Sequence, residues 1–239
     1  MAEFASHHGV GMHKVYTSLI DYMAGFLDIT GRPVHGWSFN KSQNEEFARM
    51  TEQLCLAAEY GIRTKGWMDV FGEFFMRYLG EKNRMGQCFS PESLSELASM
   101  IVSDGITEQG QYRCGTFGMK HIVSDPACGS GRLVLAAITH LQIRKGLKCY
   151  AICEDKDEIC VKQTALNLAM HGYYGEVICH DSLSEPDTVK FGYIVNEGCY
   201  PFPDGIPTLR WSENPDEYVC TRFWKERRND KESDRKHIE

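Results

Sequence analysis

No stretch of the 239-residue chain is long, apolar and uncharged enough to span a bilayer, so no membrane span is expected. The N-terminus, Met-Ala-Glu-Phe-Ala-Ser-His-His-Gly, lacks the basic-then-apolar pattern of a secretory signal, and a cytoplasmic protein is expected. Positive charge is in short supply: 26 Lys and Arg against 33 Asp and Glu leave a net charge of −7. That argues against a broadly basic nucleic-acid coat but leaves room for a local basic groove. There is no Cys-x-x-Cys pair among the ten cysteines, and Cys55, Cys149, Cys153, Cys160 and Cys179 lie inside apolar runs. Buried free thiols, rather than a disulfide framework or a zinc site, are therefore expected. No internal repeat is present. The 42% hydrophobic and 25% charged content is that of an ordinary globular protein, long enough for one substantial domain or a small one plus a larger one.

What is present centres on residues 121–131. Ile122 and Val123 end in Asp125, Pro126 and Ala127 turn the chain, and Gly129-Ser130-Gly131 follow. Leu133, Val134, Ala137, Ile138 and Leu141 then fall at helical spacing. The pattern predicts a strand, a glycine-rich turn and a helix. Glycines allow close approach to backbone N–H groups, and a helix start carries partial positive charge, so the turn suits a small polar ligand. Asp125 can accept hydrogen bonds from it.

Upstream, the patterning is helical. Residues 13–27 place Val15, Leu19, Tyr22, Met23 and Phe26 on one side. Ser42-Gln43-Asn44-Glu45 fits a capping box ahead of a buried stripe at Phe47, Met50, Leu54 and Ala58, with Gly61 as its end. Residues 67–79 carry an aromatic stripe that reads as core packing. Ser90 and Pro91 suit the cap and first position of a further helix, and residues 103–118 read as a loop. His7, His8 and His13 cluster near the N-terminus; a metal site is one reading, a mobile tail the plainer one, and no metal is expected.

From residue 121 strands and helices alternate. The nearly unbroken apolar run 148–153 suits a parallel sheet covered on both faces. Four strands in sequence end in polar residues, Asp125, Glu154, Asp181 and Asn196, which in an open parallel sheet would share the ligand-binding edge. Residues 208–211 and 218–224 read as a hairpin around Asn214-Pro215-Asp216, and the charged end of the chain as a solvated tail. The expected organisation is a helical region over residues 1–110, an α/β domain over 111–228 and a charged tail over 229–239.

A nicotinamide dinucleotide site needs a third glycine where Val134 stands, and a P-loop needs a Gly-Lys-Ser/Thr that is missing. A nucleoside-containing ligand without a cradled pyrophosphate remains. Asp125-Pro126-Ala127-Cys128-Gly129-Ser130-Gly131 resembles the cofactor loop of adenine-specific (N6) DNA methyltransferases, above all the modification subunits of type I restriction systems. Gly86-Gln87-Cys88-Phe89-Ser90-Pro91 resembles the segment just upstream of that loop in the family. The runs 69–76, 167–172 and 180–183 also fall where the family has similar ones.

The resemblance implies a doubly wound, mostly parallel Rossmann-like sheet that binds S-adenosylmethionine. By position, Phe89, Ser90 and Pro91 would border the methionine and adenosine parts. Asp125, Gly129 and Gly131 would hold the amino-acid part. Glu154 would take the ribose hydroxyls and Asp181 the adenine amine, with Ala127, Ser130, Asp155 and Ser182 also at the cofactor. Double-stranded DNA with an adenine target and a specificity subunit are the implied partners.

The family's catalytic Asn/Asp-Pro-Pro-Tyr/Phe accepts the hydrogens of the adenine amine and stacks an aromatic ring on the flipped base. Here the segment reads Asn196-Glu197-Gly198-Cys199-Tyr200. Asn196 is in place as a catalytic and cofactor-edge residue, both prolines are missing, and Tyr200 stands one residue late as the stacking aromatic. Glu197 would bring negative charge towards a polyanionic substrate. Three readings follow: a DNA adenine methyltransferase or a shortened subunit of one, a relative that keeps the fold as a binding or regulatory partner, and a methyltransferase with a different acceptor.

Overall fold

The computed structural model describes residues 1–32, 39–79, 89–104, 121–185, 188–197 and 206–226. Five helices come first: α1 (Ala2–His8), α2 (Met12–Leu27), α3 (Lys41–Lys65), α4 (Val70–Tyr78) and α5 (Glu92–Asp104). Then β1 (His121–Asp125), α6 (Arg132–Lys145), β2 (Cys149–Asp155), α7 (Glu158–Met170), β3 (Tyr174–Cys179), β4 (Phe191–Val195) and β5 (Leu209–Ser212) alternate. A short 3-10 turn at Pro215–Glu217 leads into a last helix, α8, over residues 219–226.

β1, β2 and β3 are parallel and joined by α6 and α7, whereas β4 and β5 are antiparallel to their neighbours. The order is β1-β2-β3-β4-β5. The sheet is thus mixed α/β, not mostly parallel, and the described strands contain no reversal of order. The physical reason lies between β3 and β4. A parallel return needs a crossover of about a dozen residues or more, usually a helix. Residues 180–190 are too few, and those described form no α-helix.

Strand alternation divides the core. Ala151, Cys153, Val177, Cys179, Tyr193 and Val195 face α6, α7 and the N-terminal helices. Tyr150, Ile152, Ile178 and Ile194 face the other way and pack on Tyr218 and Cys220 at the start of α8. The sequence pattern placed a strand at 218–224; the helix forms because Glu176, reaching out from β3, accepts the N–H groups of Val219 (2.8 Å) and Cys220 (2.7 Å). Two orphan donors of the first turn are thereby satisfied by a tertiary contact that no local pattern encodes. The hairpin that does form joins β4 to β5.

Smaller shifts concern helix ends. The capping box uses Asn40 and Gln43 rather than Ser42 and Glu45. Gly61 lies inside α3, where Met68 presses against it and leaves no space for a Cβ, and Gly66 ends the helix at φ +89°. α5 begins one residue later than expected, with the Pro91 carbonyl accepting the Ser95 N–H. The N-terminus is no loose tail: Phe4 of α1 is buried against Phe39 and Phe47. Most of the aromatic stripe is core, as Phe71 and Phe75 are buried and Phe74 stacks on Tyr16, whereas Tyr78 is exposed. Residues 103 and 104 of the expected loop belong to α5, and the rest of it, like the tail after residue 226, lies outside the described residues. No described helix is long and apolar enough to cross a membrane. Seven free cysteines are described, and all but Cys55 are buried.

Candidate functional site

The carboxyl ends of the three parallel strands lie side by side, with Asp125 opposite Cys153 and Asp155 opposite Cys179. The glycine turn crosses this edge, held by side chains and backbone from its neighbours. Asp125 accepts the Ala127 N–H (3.1 Å), the Glu154 carbonyl accepts the Cys128 N–H (2.9 Å), and Asp155 accepts the Gly129 N–H (2.9 Å). Thr164 of α7 donates its hydroxyl to the Gly129 carbonyl (2.8 Å). Gly129 and Gly131 have φ of +55° and +83°, a region that penalises any Cβ. At Gly129 space is denied as well, since a Cβ would sit 2.9 Å from the Phe89 ring. Burial raises the Asp125 carboxyl above the usual carboxylate range, with Asp155 adding to the shift and the Ala127 N–H opposing it.

The two segments that the resemblance linked are therefore in contact. Phe89 covers the glycine turn and meets Phe75 of α4 at 5.3 Å between centroids. The Ser90 carbonyl accepts from Arg132 Nη1 (2.9 Å) at the start of α6. Pro91 and Ala127 are exposed on this side, while Ser130 is buried.

Beneath the turn lies a polar hub centred on Asp69, a residue of the 69–76 run to which the sequence alone assigns no role. Asp69 caps α4 through the Gly72 N–H (2.8 Å) and accepts from Ser130 Oγ (2.5 Å), Arg132 Nε (3.0 Å) and Asn167 Nδ2 (2.8 Å). Asn167 also donates to the Ser130 carbonyl (2.8 Å), and Arg132 pairs with Glu73 at 2.9 Å. At the C-terminal cap of α7, His171 donates from Nδ1 to the Asn167 carbonyl and accepts the Met68 N–H at Nε2 (3.1 Å). Burial lowers its pKa to about 4, so the ring is neutral, as that donor–acceptor pattern requires. The signal for the hub is the Asp69, Ser130, Arg132 and Asn167 set, but only tertiary structure brings these three separate stretches together.

The remaining expected residues divide. Asp181 and Ser182 are exposed at the same edge, and Asp181 accepts the Leu183 N–H (3.1 Å). Glu154 is turned onto the second face of the sheet, only 7% exposed, with its carboxylate between His180 Nδ1 (2.7 Å) and the Cys220 thiol (3.4 Å). It is not presented to the edge as a ribose acceptor.

Asn196 lies elsewhere altogether. β4 runs antiparallel, so its end at Val195 pairs with Gly175 at the start of β3, and Asn196 falls at the opposite edge. It is buried with φ +58°, donates to the Tyr173 (2.8 Å) and Ala169 (3.4 Å) carbonyls, and accepts the Thr208 N–H (3.0 Å). The expectation of four polar strand ends sharing one edge is corrected: Asn196 lies at the opposite edge, and Glu154 turns its carboxylate away, which leaves Asp125 and Asp181. Glu197 is paired with Arg210 of β5 rather than facing a substrate. Tyr200 lies outside the described residues.

A cleft of about 370 Å³ opens between α2, α7 and the β4–β5 pair, lined by Asp21, Arg32, Lys162, Tyr193 and Trp211 among others. It contains none of the expected site residues. A second, of about 320 Å³, lies between α3 and α4 and reaches Asp69 and Arg132 from behind the hub.

The geometry meets independent similarity. Residues 67–211, more than half of the chain, match the family model described as N-6 DNA Methylase. The matched stretch begins beside Asp69 and runs into β5, so it includes the hub, the glycine turn, β1 to β4 and most of β5. The chain is 27% identical over 137 residues to the methylase subunit of the type I restriction enzyme MjaIX of Methanocaldococcus jannaschii. That alignment covers 53% of this chain and 22% of the relative, so the chain matches about a fifth of the relative's length. No solved structure matches. With a family match of this extent, the chain belongs to the N-6 DNA methylase family.

Proposed function

We propose that this chain binds S-adenosylmethionine at the edge formed by Asp125, the glycine turn and Asp181, and serves adenine methylation in DNA as part of a restriction–modification methylase. The observation that carries this reading is the contact of Phe89 with Gly129, which builds one site from the upstream segment and the turn. The donor set fits the cofactor. Asp125 offers a carboxylate to its ammonium group, and Asp181 an exposed carboxylate to its adenine amine. Phe89, Ser90 and Pro91 border the space between them. Asp155 and Thr164 hold the turn in place and leave ligand contact to their neighbours. Bound there, S-adenosylmethionine supplies an electrophilic methyl group. The chain's own contribution is to orient it without backbone reorganisation. DNA and a specificity subunit are the partners of this reading.

A second reading, a cofactor-binding partner that does not itself transfer the methyl group, is favoured by Asn196. Its side-chain amide is bonded to the backbone of its own fold, and it stands at the wrong edge to receive an adenine.

Calorimetric titration with S-adenosylmethionine tests the shared premise. We expect saturable heat in the parent chain and at least a tenfold weaker response in Gly129→Ala, which would drive Phe89 off the turn. No heat at millimolar ligand sinks both readings. Transfer of labelled methyl to adenine-containing DNA then separates them: incorporation supports the first, and binding without incorporation the second.

A further inference from the structure

We propose that His7 and His8 of α1 and Glu46 of α3 form a binding site for one divalent transition-metal ion of the zinc, nickel or copper class. The three side chains bring one ligand atom each to within 4.8 Å of one another. His8 Nε2 already meets Glu46 Oε1 at 3.1 Å, and the two imidazole rings lie 4.6 Å apart. Two imidazoles and one carboxylate are the ligand types that suit these ions, whereas calcium or magnesium would call for oxygen donors alone.

Metal–ligand bonds of about 2.0–2.2 Å in a tetrahedron separate ligand atoms by about 3.3–3.6 Å. The site therefore needs to close by about 1 Å on its widest side. His7 is exposed and can rotate to provide that movement, while His8 and Glu46 are half-buried and already close. The backbone beneath is fixed. Phe4, one turn before His8, is buried and packs against Phe39, Phe47 and the His8 ring. The two histidines also sit in the last turn of α1, where the helix dipole favours a cation. Three protein ligands leave one tetrahedral position for water or an external donor.

Zinc chloride titrated into the full chain, followed by calorimetry and thermal unfolding, tests the site. We expect one equivalent to bind and the unfolding midpoint to rise, because the ion joins α1 to α3. His8 packs on Phe4, so the variants are His7→Ala and Glu46→Gln, which leave that packing intact. Each is expected to weaken binding by about tenfold or more. Copper(II) in place of zinc should show hyperfine splitting from two imidazole nitrogens in the parent chain and one in His7→Ala. Absence of saturable binding overturns the proposal. So does zinc binding whose affinity is unchanged in either variant, which would place the ion elsewhere, for example among the thiols.

Discussion

The two edges of the sheet present opposite uses of the same residue types. At the carboxyl ends of β1, β2 and β3, acidic side chains and backbone N–H groups gather around an open turn, and Asp181 faces solvent. At the other edge Asn196 is equally polar and equally placed at a strand's end, yet its amide is bonded to Tyr173, Ala169 and Thr208. The difference is the direction of one strand. A polar residue after a strand marks a ligand edge only where the strand runs with its neighbours.

The comparison can be sharpened first at its base. Asp69→Ala would leave Arg132, itself buried, without its main counter-charge, and Ser130 and Asn167 without their shared acceptor. A loss of about 3–5 kcal/mol in denaturant-unfolding stability is expected. A loss below 1 kcal/mol would show that the turn does not depend on the hub.

On the other face, Glu176 caps α8, and burial raises its pKa to about 7 against the pull of the Cys220 and Val219 N–H groups. A raised carboxyl pKa means that the folded state holds the proton longer than the unfolded one. Its contribution to stability is complete below the unfolded value of about 4.5 and is lost as pH rises through about 7. Stability should fall across that window by an amount on the order of 3 kcal/mol, and Glu176→Gln should flatten the dependence. A parent chain with no slope between pH 5 and 7 would contradict the assignment.

Asn196 tests the contrast directly. Asn196→Ala removes three hydrogen bonds and keeps a Cβ at φ +58°, so about 1–3 kcal/mol of stability should be lost. Asn196→Gly should recover about 1 kcal/mol of that, because glycine tolerates the left-handed backbone. Neither variant should alter the calorimetric affinity for S-adenosylmethionine. A tenfold loss of affinity in both would return Asn196 to the cofactor edge and break the comparison.

Much of this was readable from local pattern. The strand–turn–helix at 121–145 follows from apolar spacing and two glycines whose φ values are positive, as such a turn demands. The resemblance implied that residues 89–91 border the cofactor; the structure brings Phe89 against Gly129 of the turn. What escaped were relations between distant stretches. The strand run at 218–224 became a helix because Glu176 satisfies its first donors. β4 reversed because its connection is short. Glu154 turned away because His180 and Cys220 bind its carboxylate. Alternation along a strand is visible in the sequence, but the partner awaiting each face is not.

The Asp69 hub bears on how the chain can be divided. Its donors and acceptors come from α4, the glycine turn, α6 and α7, separated by as many as 98 positions. A cut near residue 110, where helical patterning gives way to the sheet, would pass straight through this network. The downstream piece would keep Arg132 in an apolar interior with no carboxylate from α4. The upstream piece would expose Asp69 with only the Gly72 N–H left to receive. The helices and the sheet are therefore expected to unfold in one transition, and proteolysis near residue 110 should yield fragments that stay together until denatured.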